Sequence, residues 1–188
     1  MVALALAVLL VTLSSALLLT IVIAYVRTGV PTVVSAKAAQ EIAATVLAQH
    51  NARVIYELGS GKGDFALRLA DHLPNARVRG IELSLMPYLF SQIWRRLHRA
   101  GSRVRFFLGD FRQVSLGDAD AVMLYLMLHM NRKLAPKLIR EMRPGSLVIS
   151  ISFSIADWEP VEVRKADNWG KTRVLIYRMP PTHVPKQA

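Results

Sequence analysis

No cysteine occurs in the chain's 188 residues. A disulfide framework and a thiolate metal site are both excluded. The five histidines, His50, His72, His98, His129 and His183, include no pair at the H-x-x-x-H or H-E-x-x-H spacing of a helical zinc site, so no metal is expected. Acidic residues are scarce: 13 against 24 Lys and Arg, for a net charge of +11. Internal repeats are absent, and low complexity is confined to the N-terminus. No obvious catalytic dyad is visible. The chain length allows one domain plus a short appendage.

Charge is also missing from Val2 to Val26, a run of mainly Leu, Val, Ala and Ile. As a helix it would measure about 37 Å, enough to cross a bilayer core of about 30 Å with some tilt. A cleaved signal peptide fits less well, because no Lys or Arg precedes the run and the apolar core is too long. The expectation is a transmembrane helix over residues 2–26, with a linker over 27–34. Arg27 and Lys37 follow the run, which places the remainder on the cytoplasmic side of a single-pass membrane protein. All the net positive charge lies after residue 26, with a cluster at Arg95, Arg96, Arg99, Arg103 and Arg105. It reads as a solvated face, a contact to anionic lipid or a contact to nucleic acid. The adjacent span favours the lipid bilayer as partner.

What is present is a glycine turn. Glu57-Leu58-Gly59-Ser60-Gly61-Lys62-Gly63 follows the apolar run Val54-Ile55-Tyr56 and precedes a helix pattern with Phe65, Ala66, Leu69, Ala70 and Leu73 on one face. Strand, tight turn and helix N-terminus make a nucleotide platform: glycines let backbone approach a ligand, and the helix start offers free N–H groups. A second strand ends at Glu82, where a carboxylate can accept ribose hydroxyls. The dinucleotide fingerprint fails, because its third glycine falls on Asp64. The P-loop fails too, because Gly63 follows Gly61-Lys62 where Ser or Thr is needed.

The remaining chain alternates. Ser35 reads as the N-cap of a helix reaching about His50. Strand 53–57, helix 64–72, strand 77–82 and helix 86–99 follow, the last with Leu89, Phe90, Ile93, Trp94 and Leu97 on one side. Then come strand 104–108, strand 121–126, helix 131–142, strand 146–153 and a final strand over 173–178. This order implies a mostly parallel sheet with helices on both faces, forming a domain over residues 35–180 with a tail at 181–188.

The pattern E-x-G-x-G-x-G, with Glu82 one unit later, resembles the first motif of seven-stranded S-adenosyl-L-methionine (AdoMet) methyltransferases. Leu124-Tyr125-Leu126, Asn131, the run from Leu134 to Ser150, Phe153 and Asp157-Trp158-Glu159-Pro160 carry the likeness further. They resemble small archaeal protein-lysine methyltransferases, and the membrane-anchored mitochondrial family that methylates a lysine of the ATP synthase c subunit. The likeness covers about residues 30–160. Lys62 departs from it, standing where an acidic or small residue is common. The resemblance implies a Rossmann-like class I AdoMet-dependent methyltransferase, with a mostly parallel seven-stranded sheet preceded by one transmembrane helix.

It also implies roles. Glu57 meets the methionine ammonium of AdoMet, and Gly59, Ser60, Gly61 and Gly63 pass beneath the cofactor. Glu82 holds the ribose, Leu83 packs beside adenine, and Asp110 accepts from its amino group with Phe111 near the ring. Tyr125 lies at the methyl-transfer position, while His129, Asn131 and Trp158 shape the acceptor channel. Methyl transfer needs mainly positioning and a neutral amine, so the missing dyad does not count against an enzyme. The expected acceptor is a lysine on a membrane-associated protein. The alternatives are a tethered RNA methyltransferase, which the absence of an RNP-like motif disfavours, and a non-catalytic AdoMet-binding membrane protein.

Overall fold

Seven strands form one sheet in the order β3-β2-β1-β4-β5-β7-β6. The computed structural model of the chain describes residues 2–28, 37–167 and 172–181. Along the chain lie α1 (Val2–Thr28), α2 (Lys37–Gln49), β1 (Val54–Leu58), α3 (Asp64–His72), β2 (Arg77–Glu82), α4 (Leu85–Leu97), β3 (Val104–Leu108), β4 (Ala121–Leu124), α5 (Leu128–Glu141), β5 (Leu147–Ile151), β6 (Glu162–Lys165) and β7 (Arg173–Arg178). The expected Ser35 cap, most of the 27–34 linker and nearly all of the tail lie outside the described residues.

Side-chain alternation divides the core. Ile55, Val78, Val104, Ala121, Met123, Leu147, Ile149, Val174 and Ile176 point to one face and pack with α2 and α3. Tyr56, Leu58, Ile81, Val122, Leu124, Val148, Leu175 and Tyr177 point to the other and pack with Met130, Leu134 and Leu138 of α5. A two-residue period on strands buried from both sides produces this split. β1 to β5 pair in parallel. β7 runs antiparallel to β5, and β6 antiparallel to β7. Sequence reading did not resolve β6, whose four residues Glu162-Val163-Arg164-Lys165 carry little apolar pattern and form an exposed edge.

One expectation needs correction. Among the described residues no helix is long and apolar enough to cross a membrane. The transmembrane helix over Val2 to Val26, the single-pass location and the cytoplasm-facing orientation are therefore not supported, and the bilayer partner loses the support it drew from them. The apolar side that the sequence gives α4 lies exposed: Leu89, Phe90, Ile93 and Trp94 are about half accessible and Leu97 more so. Pro87 and Ser91 are its buried residues. Ser91 can be buried because its Oγ donates to the Tyr88 carbonyl at 2.6 Å, satisfying the hydroxyl locally.

Candidate functional site

The strand order reverses between β1 and β4, and a crevice at the carboxyl ends of such strands is where open α/β sheets hold ligands. The glycine turn leaves β1 at this place. Gly59 and Ser60 both donate backbone N–H to the Ile81 carbonyl, at 2.9 and 3.0 Å. Gly63 then donates to the Ser60 carbonyl at 2.9 Å and opens α3. Its φ of 83° lies in the left-handed region, which favours glycine. A Cβ there would also overlap the Phe106 ring.

Gly80 belongs to the same packing. A Cβ on Gly80 would come within 2.5 Å of Phe106 Cδ1 and 2.8 Å of Ser60 Cβ. The Phe106 ring thus fills the space beneath the turn only because both positions lack side chains. Sequence reading missed Gly80. A glycine inside a strand was the available signal, since it marks close approach of a neighbour.

Glu82 bridges turn and strand. Its Oε2 accepts the Gly61 N–H at 2.8 Å, and its Oε1 accepts the Ser84 N–H at 2.7 Å. A carboxylate oxygen has two lone pairs, so each keeps capacity for one hydroxyl. Ser84 was the second partner that sequence reading did not identify. Leu83 is half-buried beside it.

Glu57 is buried, and its Oε2 has no hydrogen-bond partner among the described residues. Burial pushes its carboxyl well above the ordinary value; the nearby Glu82 and Asp64 charges push the same way, and a backbone hydrogen bond from Ala66 opposes them. Ala66 lies in the first turn of α3, whose N–H groups lack helical partners. The buried Ser60 hydroxyl likewise has no partner. An unpaired buried carboxyl costs free energy unless a ligand supplies the missing donor. A ligand cation with N–H groups matches that demand, and the glycine cradle and the free lone pairs of Glu82 suit an adjoining nucleoside. The residues present fit AdoMet.

The other expected residues are distributed as follows. Asp110 bonds Arg112 through that residue's backbone N–H at 2.9 Å and its guanidinium at 2.5–3.0 Å. Phe111 is buried in the core layer with Leu58, Ile81 and Leu116. Tyr125, just past β4, is half-buried and packs against the opposite layer. His129 is exposed in the first turn of α5. Asn131 is fully buried, and its Nδ2 reaches Ser150 Oγ at 3.1 Å and the Phe153 and Ser154 carbonyls at 3.2 Å. It therefore ties α5 to the loop leaving β5. Trp158 packs edge-on against Tyr177, with ring centroids 5.8 Å apart. Among the described residues no cluster of His, Cys, Asp or Glu could hold a metal ion.

The chain is similar to known proteins. A family model described as the ANTKMT methyltransferase domain matches residues 57–162. A protein-lysine N-methyltransferase from Saccharolobus islandicus (strain REY15A) is 28% identical over 126 residues, covering 66% of this chain and 76% of that protein. Among solved structures, an RNA methyltransferase from Salinibacter ruber in complex with S-adenosyl-L-homocysteine superposes with a TM-score of 0.72. It is 26% identical, covering 82% of this chain and 98% of that one. The mitomycin 7-O-methyltransferase MmcR, 16% identical with a TM-score of 0.59 over 75% of this chain and 52% of its own, shares the fold. The class I methyltransferase sheet is the architecture of this chain.

Proposed function

Because the chain belongs to the ANTKMT methyltransferase domain family, we propose that it is an AdoMet-dependent protein-lysine N-methyltransferase. The observation that carries the reading is the buried, half-partnered Glu57 at the head of a glycine cradle closed by Glu82. The archaeal protein-lysine relative supports the acceptor class.

AdoMet, when bound, supplies a methyl group on a sulfonium, activated for in-line attack by a nucleophile. The protein's work is then placement. Glu57 receives the ammonium of the methionine moiety, through the Oε2 that no donor reaches among the described residues. Gly59, Ser60, Gly61 and Gly63 let the backbone run beneath the ligand, and the free lone pairs of Glu82 take the ribose hydroxyls. Leu83, Asp110 and Phe111 are the residues for the adenine end. For Asp110 to accept from the adenine amino group, the exposed Arg112 guanidinium must share or leave its carboxylate.

The acceptor side is formed by the segments after β4 and β5. Asn131 joins them through its bonds to Ser150, Phe153 and Ser154. Tyr125, His129 and Trp158 lie on the same segments and are the residues that shape the lysine's approach. A narrow apolar approach favours the neutral amine, whose reference pKa is about 10.4.

One favourable observation keeps a second reading in view: the RNA methyltransferase from Salinibacter ruber matches nearly end to end. One experiment separates the two. Purified protein is incubated with methyl-tritiated AdoMet and a cell extract, and label is followed through protease and ribonuclease treatment, then by mass spectrometry. Methyl-lysine on protein is expected. Label that ribonuclease releases would overturn the lysine acceptor, and a folded protein that labels nothing and binds no AdoMet would overturn the whole reading.

A further inference from the structure

The end of the sheet opposite the glycine cradle carries an arginine cleft. Arg77, Val78, Arg79, Ser102, Arg103 and Arg105 line a cavity of about 330 Å³. Arg77 opens β2, and Ser102 and Arg103 directly precede β3. Arg79 and Arg105 are register partners on those two parallel strands, so their side chains leave the same face of the sheet. Arg77, two residues before Arg79, shares that face. From Arg77 to Glu82 the strand extends about 17 Å at about 3.3 Å per residue. The cleft is therefore separate from the cofactor crevice.

Four guanidiniums border this cavity against little opposing charge. Asp118 bonds Arg79 at 2.6 Å. Arg103 uses one Nη on the Ala70 carbonyl at 2.6 Å, and its buried Nε has no partner. Two of the arginines are thus already held in place. Arg79 is fixed by Asp118, by the Tyr56 hydroxyl and by the Tyr56 ring, which its guanidinium overlies at 5.1 Å. Arg103 is fixed by Ala70. Arg77 and Arg105 are exposed, and no ion pair involves them among the described residues. The connection from β3 to β4 is helix-free; its Phe111 and Leu116 cover the Ile81 end of this face, while Arg77 and Arg105 at the other end stay exposed.

We propose that this cleft binds phosphate groups. Guanidiniums present planar forks of N–H donors that match phosphate oxygens in pairs. A single carboxylate offers two oxygens and one charge, whereas a phosphoryl group offers more acceptors and up to two charges, closer to what four guanidiniums need. Two immobilised arginines lower the ordering cost of binding, and two free ones close on the ligand. The phosphate has two possible sources: a small phosphorylated molecule or the backbone of a single-stranded polynucleotide.

The test uses the full chain and its Arg77→Gln/Arg105→Gln variant. These two arginines are exposed at strand ends, outside the cofactor crevice, so folding and AdoMet affinity are expected to match the wild type. Calorimetry with pyrophosphate probes the small ligand. Fluorescence anisotropy with a labelled single-stranded RNA oligonucleotide, across a salt series, probes the polynucleotide. Binding of either probe that weakens tenfold or more in the variant supports the cleft and names the source. For RNA, the log–log salt slope should fall by about 1.4, at about 0.7 per lost phosphate contact on a single strand. Absence of binding by both probes, or binding that the variant leaves unchanged, would overturn it. Failure of lysine methylation would leave these binding results unaffected.

Discussion

Replacing Glu57 by Gln tests the carboxyl on which the cofactor site turns. Its pKa is raised, chiefly by burial. The folded protein without ligand therefore holds a proton that the unfolded chain releases at an ordinary value of about 4.3. Linkage gives the sign: where the native state binds more protons than the unfolded state, stability falls as pH rises. The group's contribution is complete below the unfolded value. It is lost as pH climbs from there to the folded value, at about 1.4 kcal/mol per pH unit, and the loss is flat above. Glutamine mimics the protonated carboxyl in shape and carries no titrating group. The variant's urea midpoint should be less sensitive to pH across that window than the wild type's.

Cofactor binding should behave in the opposite way. The ammonium needs the carboxylate, so binding expels the Glu57 proton. Wild-type affinity should rise with pH below the folded value, by up to tenfold per unit, and level off above it. The variant should bind more weakly by about 1.5–3 kcal/mol, the range for a hydrogen bond to a charged group, roughly 10- to 150-fold. Its affinity should lack that rise. Calorimetry in two buffers of different ionisation enthalpy reads the released proton directly. Equal affinity and equal proton release in wild type and variant would refute the reasoning.

Three other changes address the scaffold. Gly61→Val places a branched side chain at φ 54°, on the residue whose N–H meets Glu82; it should cost about 1–2 kcal/mol in left-handed strain and abolish AdoMet binding by calorimetry. Gly80→Ala pushes a methyl into Phe106 and Ser60; an overpacking loss of about 1–3 kcal/mol is expected in urea unfolding, with weaker cofactor binding, and no loss would mean that the ring moves freely. Asn131→Ala removes the link from α5 to the loop after β5, leaving the Ser154 carbonyl without that donor while Phe153 keeps the Ser150 hydroxyl; a loss of about 1–3 kcal/mol is expected by chemical denaturation, and a change under about 0.5 kcal/mol would show that the link is dispensable.

The sheet was legible because its strands are buried on both faces and bounded by turn residues. α3, β2, β3 and β7 fall where the apolar runs place them, and the glycine turn locates the end of β1. Other features were hidden for identifiable reasons. A helix pattern shows that one side of α4 is apolar, but not that the small Ser91 side is the one that meets the sheet. β6 is polar because it is an edge held by pairing to β7. The uncharged N-terminal run read as a span from composition alone, and the helices described do not support that reading. At the site, motif spacing located Glu57 and Glu82. It could not reveal that backbone donors from Gly61 and Ser84 already hold Glu82, because those bonds join residues across a turn and a strand end.

The seam between β1 and β4 has a consequence for the order of assembly. Val54 donates its N–H to Asp120, 66 residues away, and the same carboxyl receives the Arg53 N–H and the Arg143 guanidinium. The strands β1 to β3 and their helices can pair through nearby sequence, and so can β4 with β5. Joining the two halves requires closing the longer loop, whose entropy must be spent before the new pairs repay it. The crevice at the switch point comes into being with this closure. A ligand that binds there recognises a late product of folding, and by mass action it should hold the seam shut. Amide protons along β1 and β4 are where that protection would be felt.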